Sequence, residues 1–201
     1  MMMDSGILIQ MIFRWLHFVF GILWIGHLYF FNFVNATFQS RLDAPTKQKV
    51  VPELMPRALW WFRWGAMVTF LTGYLMIYWR YWVSSDAGMT GFMASSYGQW
   101  ISLGATFGTI MWFNVWFVIW PIQKGVIKAV AAGEKPDAAK VERARKASKL
   151  NTFLSIPLLF SMGAASHFPV SGWLWQVIVV ALGFLIAQTF YKLAPKVGKL
   201  N

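Results

Sequence analysis

The chain has no cysteine among its 201 residues. That excludes disulfides, thiolate nucleophiles, iron–sulfur ligation and the CxxCH attachment of a c-type haem. It is also poor in charge, and poorest in acid: charged residues make up 12% of it, with 7 Asp and Glu against 18 Lys and Arg. No acid falls inside a long apolar run, so zinc or di-iron centres that recruit carboxylates are disfavoured there. Apolar runs dominate what is present, for 58% of the chain is hydrophobic, more than an ordinary soluble domain carries. A formal charge of +11 would suggest nucleic acid if it lay on one face of a soluble fold. Here the basic residues gather in short connections between uncharged runs, as in the cytoplasmic loops of a membrane protein. Membrane lipid is therefore the expected surroundings, and no nucleic-acid partner is expected.

A bilayer core of about 30 Å takes roughly 20 mostly apolar residues as helix. The sequence predicts an all-α integral membrane bundle of five transmembrane helices over about 8–38, 62–82, 97–123, 150–168 and 172–191, in a single domain, 1–201. Pro121 helps to stop the third. The last uncharged run is too long for one span, and His167-Phe-Pro-Val-Ser-Gly172 supplies the break. The Gly/Ser-rich stretch from Ser84 to Ser96 has the pattern of neither helix nor strand, and the basic stretch GEKPDAAKVERARKASK reads as a solvated amphipathic linker. Asp4, with no basic residue ahead of the first apolar run, argues against a cleaved leader, so the first helix is expected to remain.

Five spans put every basic residue except Arg14 and Arg80 on one side of the membrane. Four or six spans would part the basic tail from the two basic loops. The N-terminus is thus expected outside and the C-terminus in the cytoplasm.

Three histidines are the unusual groups, because ionisable residues inside a membrane are candidate functional residues by default. His17 lies one turn inside Arg14 near the outer end of the first span, and His167 closes the fourth span, so the two share a level. His27 lies ten residues further along, roughly 15 Å deeper. Two imidazoles facing each other between apolar walls suit six-coordinate haem b, with His17 and His167 as axial ligands to its iron. Gly21 and Gly163 each share a helical face with one of these histidines, one turn deeper, where a flat macrocycle needs room. Arg14 is placed to pair with a propionate. His27 is left as a second site, a proton-relay group or a packed residue.

RWLHFVFGILWIGHLYFFNFVN, PRALWWFRWGAMVTFLTGYLMI, NVWFVIWPIQKGVI and KASKLNTFLSIPLLFSMGAASHFP resemble the membrane domain of the bacterial membrane-bound urate oxidase (urate hydroxylase) family, over about Arg14 to Pro169. The resemblance implies an integral protein of the bacterial cytoplasmic (inner) membrane, linked to oxidation of urate with electrons passed to a cytochrome. It sets His17 in the family's Trp-Leu-His block and His167 in the block that reads Ser166-His167-Phe168-Pro169 here. The departures are a histidine at position 27 where the family implies an apolar residue, the lack of CxxCH, and an end soon after the fifth span, without the family's cytochrome c domain.

Three readings follow. The first is a haem b electron-transfer protein or respiratory-complex subunit that works with a separate cytochrome c or a larger respiratory complex. The second is an oxidoreductase acting on urate or a related purine, using polar groups such as Asn32, Asn35, Gln99, Asn114 and Gln123. The third is a haem-free structural subunit of a larger membrane complex.

Overall fold

A computed structural model describes residues 5–80 and 88–198. The described residues are helical and contain no strand. Helix α1 (Ser5–Tyr29) passes through a π-helical segment, Phe30–Asn35, into the short α2 (Ala36–Ser40). Helix α3 (Ala44–Tyr78) returns antiparallel to α1, followed by α4 (Gly88–Ala94) and α5 (Ser96–Phe113). A second π segment, Asn114–Ile119, joins α5 to α6 (Trp120–Ala131), and α7 (Ala138–His167) and α8 (Trp173–Leu193) complete the chain.

Several boundaries differ from those the hydropathy suggests, each for a local reason. Helix α3 begins at residue 44 rather than 62, because Asp43 caps it by accepting from the Thr46 N–H and Pro45 suits the first turn. The hydrogen bonds from Thr46 hold the exposed Asp43 carboxyl below its ordinary range. The early turns of α3 also bury Val51, Met55 and Leu59, so the helix is held by packing before it reaches its apolar half. Likewise α7 starts at 138, where the Asp137 carboxylate accepts from the Ala139 and Lys140 N–H groups. Most of the basic stretch expected to be a linker is thus the first turns of α7, laced by Glu142 with Arg145 and Lys146. The linker proper is short, and Gly133 at φ +73° closes α6 with a Schellman pair, Gly133 N–H to Val130 and Glu134 N–H to Ala129.

Pro121 does not stop the third span. It stands in the first turn of α6, directly after the π segment, where the Trp120 N–H reaches back five residues to the Val115 carbonyl. The wider turn takes up the ring and the missing donor, and the helix runs on to Ala131. The outer stretch expected to lack structure contains α4, whose Phe92 is buried. The expected end of the second span at 82, and residues 84–87 of that stretch, lie outside the described residues. Helix α7 ends at His167, and Gly172, at φ +116°, precedes α8, so the helices break within His167–Gly172.

Helices meet where side chains are missing. A Cβ on Gly65 of α3 would stand 3.0 Å from the Trp24 N and 3.2 Å from the Phe20 carbonyl oxygen of α1. Gly104 and Gly108 of α5 receive Met162 and Leu158 of α7, and Gly183 of α8 faces the ring of Pro157. Such small-residue contacts let membrane helices gain dispersion energy where lipid offers no hydrophobic drive. The core they enclose joins Trp24 and Leu28, Phe62 and Ala66, Met111 and Val115, and Leu154 and Leu158. Outward lie Trp15, Phe18 and Ile22 on α1 and Trp173, Leu182 and Leu185 on α8, all exposed. Among the described residues, Ser5–Ser40, Ser96–Ala131 and Trp173–Leu193 are long and apolar enough to cross a membrane.

Replacing Gly183 with valine sets a Cβ 2.7 Å from the rigid Pro157 Cδ. Overpacking of this kind costs about 1–3 kcal/mol. The Gly183→Val variant should therefore melt earlier in detergent, while Gly125→Ala, whose Cβ meets nothing within 4 Å, should melt at the wild-type temperature or above.

Candidate functional site

The close approach at Gly65 brings one face of α1 against α3, and His17 lies on that face. Its Nδ1 is 2.9 Å from the Thr69 carbonyl oxygen and 3.3 Å from Thr72 Oγ1. A carbonyl only accepts, so Nδ1 carries the proton and Nε2 keeps its lone pair. Thr72 in turn donates to the Val68 carbonyl, 2.6 Å away. Gly73 completes the slot, because a Cβ there would stand 3.0 Å from His17 Cε1. An imidazole anchored through Nδ1 to a carbonyl, with Nε2 free, is the arrangement that metal-binding histidines adopt.

The other predicted residues are placed less tightly. Gly21 lies over the Thr69 side chain, 3.8 Å from where its Cβ would be, so that surface is packed by α3. Arg14 is exposed one turn N-terminal of His17. His167 is exposed at the end of α7, and Gly163, one turn before it, faces open space. The ground beneath His167 is nonetheless firm. Phe168 packs on Trp100, Phe160 and Trp175, and Trp100 Nε1 donates to the Val170 carbonyl at 2.9 Å. No hydrogen bond or ring contact joins His17 to His167 among the described residues. Their helices are hydrogen-bonded through other residues, by Tyr29 with Ser155 at 3.0 Å and by Asn32 with Ser148 at 2.8 Å.

His27 keeps its Nδ1 within its own helix, 2.7 Å from the Leu23 carbonyl, so its Nε2 is also free. It lines a groove between α1 and α3 with Gly26, Phe30, Leu54, Arg57, Ala58 and Trp61. Histidine aside, the polar residues mostly tie helices together. Asn32 donates to Ser148 and accepts from the Tyr191 hydroxyl at 2.7 Å, and Asn114 donates to Asn151 at 2.8 Å. Asn35 lies against Met55 and accepts from Gln39. Asn151, Ser155 and Tyr29 belong to this network and were not singled out by the sequence reading. The spacing of Ser148, Asn151 and Ser155 at three and four residues, one polar stripe on an apolar helix, is the signal that marks them. Arg63 forms a further cluster, its guanidinium 4.1 Å from the centroid of Trp120 and 5.0 Å from that of Trp116.

Helices of this length and composition, with exposed apolar flanks and internal polar ties, define an all-α membrane protein. The chain belongs to the urate oxidase N-terminal family, whose model matches residues 88–199, more than half of it. The match takes in α4 to α8 with His167 and Gly163, and leaves α1 and α3 outside it. No curated protein and no solved structure matches the chain.

Asn151 is fully buried and bonds both Asn114 and the Met111 carbonyl. Asn151→Leu takes the acceptor from the Asn114 amide and one of two donors from the Met111 carbonyl, which still accepts the Asn114 backbone N–H, and the unpaired amide costs about 1–3 kcal/mol. A lowered melting temperature, with the helical circular dichroism retained at room temperature, is the expected result.

Proposed function

We propose that residues 1–201 form one five-span domain, N-terminus outside, that binds haem b between His17 and His167 and passes electrons in a respiratory chain. The observation that carries this reading is the His17 slot, with Nδ1 held by the Thr69 carbonyl and Nε2 free. His167, exposed beside the open space at Gly163, is the second ligand in this reading. The haem supplies reversible one-electron transfer when bound. The chain's own part is to keep the His17 proton on Nδ1, to present Nε2, and to offer the Arg14 guanidinium to an acidic group at the outer surface. The partner in this reading is a separate cytochrome c or a larger respiratory complex at the outer face of the bacterial cytoplasmic membrane.

A second reading, oxidation of urate or a related purine, is favoured by membership of the family and by one structural observation. Arg63 Nε and Trp116 Nε1 are buried donors without a partner on touching side chains, and an acceptor-rich ligand would satisfy them. Urate that reduces the haem anaerobically, with a cytochrome c present as acceptor, supports this reading, and failure to do so removes it.

The reduced-minus-oxidised spectrum of haem-replete purified protein should show a b-type α-band. It should vanish in His17→Ala and in His167→Ala, and exogenous imidazole should restore it in His17→Gly. A chromophore-free wild type, purified with a partner in fixed ratio, overturns the haem reading in favour of a structural subunit.

Because the chain has no cysteine, introduced single cysteines report sidedness without background. Ala138→Cys should react with an impermeant maleimide only after the membrane is opened, and Met89→Cys in intact spheroplasts. The reverse pattern overturns the orientation.

A further inference from the structure

His27 is not used by the proposed haem site, and it borders an open groove between α1 and α3. The groove it lines has a volume of about 350 Å³, near the lower end of the roughly 300–1,000 Å³ typical of small-molecule sites. Gly26 opens one wall, since a Cβ there would meet nothing within 4 Å. Phe30, Leu54, Ala58 and Trp61 make most of the lining apolar and supply two aromatic rings. Gly26 and Trp61 are exposed, so the groove opens on the flank of the α1–α3 pair, where exposed Ile22 faces outward as well. In a membrane, that flank faces lipid.

The polar groups narrow the ligand further. His27 donates from Nδ1 to the Leu23 carbonyl, so its free Nε2 is an acceptor and calls for a hydroxyl donor. Arg57 is the other charged group at the groove, and one of its terminal nitrogens is held by the Glu53 carboxylate and carbonyl. The Glu53 carboxylate beside it repels a phosphate or carboxylate ligand, and the remaining N–H groups of Arg57 are left to a neutral oxygen. A metal ion would need further ligands, and no group of three His, Asp or Glu occurs among the described residues. A polar heterocycle would leave most of its edge unpaired against this lining. An acyl chain would leave the imidazole unused. The exposed Trp60, Trp61 and Trp64 mark the aromatic belt, the depth at which amphipathic ring head groups reside in a bilayer.

We propose that this groove binds the head group of a lipid-soluble quinol, with one ring hydroxyl donating to His27 Nε2 and the ring lying among Phe30, Ala58 and Trp61. The binding rests on the membrane-spanning reading of α1 and not on haem. The same quinol is a chemically suitable electron source for the electron-transfer reading.

The test uses the full chain in phosphatidylcholine nanodiscs, titrated calorimetrically with decylubiquinol kept reduced. Wild type should bind one equivalent saturably. His27→Leu, which removes the acceptor, should weaken binding by roughly tenfold, the worth of one lost hydrogen bond of about 1.4 kcal/mol, and Gly26→Leu, which fills the groove, should weaken it by at least as much. His27→Gln, whose side-chain oxygen still accepts, should recover part of the loss. No saturable binding by wild type, or unchanged affinity in both folded variants, overturns the proposal. Should circular dichroism reveal either variant misfolded, an azidoquinone photolabel on wild type decides the matter. Labelling of peptides holding Gly26–Phe30 or Leu54–Trp61 supports the site, and labelling elsewhere overturns it. A missing b-type band in the same samples removes the haem reading alone and leaves this result standing.

Discussion

Everything at His17 and His27 depends on how closely α1 lies on α3. At Gly65 the two backbones touch without an intervening side chain, the missing Cβ having room for little more than a hydrogen. Any larger residue would part the helices along their length. The His17 ring would then lose the Thr69 carbonyl, and the groove beside His27 would widen into open lipid. Because lipid tails are as apolar as leucine, such close van der Waals contact and internal hydrogen bonds, rather than expulsion of water, hold the pair together. The same device recurs at Gly104 against Met162 and at Gly183 against Pro157, so the bundle is a set of helix pairs seated on glycine.

The second constraint is that polar groups inside the bundle must find one another. Asn32, Tyr191 and Ser148 join α7 and α8 to the first π segment, and Asn114 with Asn151 joins α7 to the second. Each π segment has a side-chain amide donating to a carbonyl just before it, Asn32 to Leu28 and Asn151 to Met111. Register shifts in these helices therefore coincide with their polar ties, as is common where π turns occur. The histidines obey the same rule in two ways. His17 donates a hydrogen bond from Nδ1 to a neighbouring helix and His27 to its own, and each is left presenting Nε2.

Three of the five expected spans, those near 8–38, 97–123 and 172–191, fall in helices long and apolar enough to cross a membrane, and the helix ends lie away from the hydropathy boundaries for a physical reason. Water and lipid both tolerate helix, so a helix does not begin where its apolar part begins. Asp43 and Asp137 start α3 and α7 well inside the charged connections, and Pro121 is absorbed by a π turn. Only the break at Phe168–Gly172 was sharp in both views, because proline and a glycine at positive φ leave no helical alternative. The resemblance noted over Arg14 to Pro169 and the family match over 88–199 overlap from α4 through the end of α7, the part that holds His167.

The lack of cysteine determined that thiol chemistry is absent, and the order and length of the apolar runs determined that this is an all-α membrane chain with three imidazoles where lipid-compatible residues are the rule. Spacing alone put Gly21 and Gly163 on the faces of His17 and His167. Which of those faces is open was decided by tertiary structure: Thr69 covers Gly21, while Gly163 looks into empty space. Tertiary structure also decided that the Thr69 carbonyl accepts a hydrogen bond from His17 Nδ1 and that His27 borders a groove. Helical periodicity assigns a residue to a side of its own helix, but the partner on that side comes from a distant part of the chain, and only packing selects it.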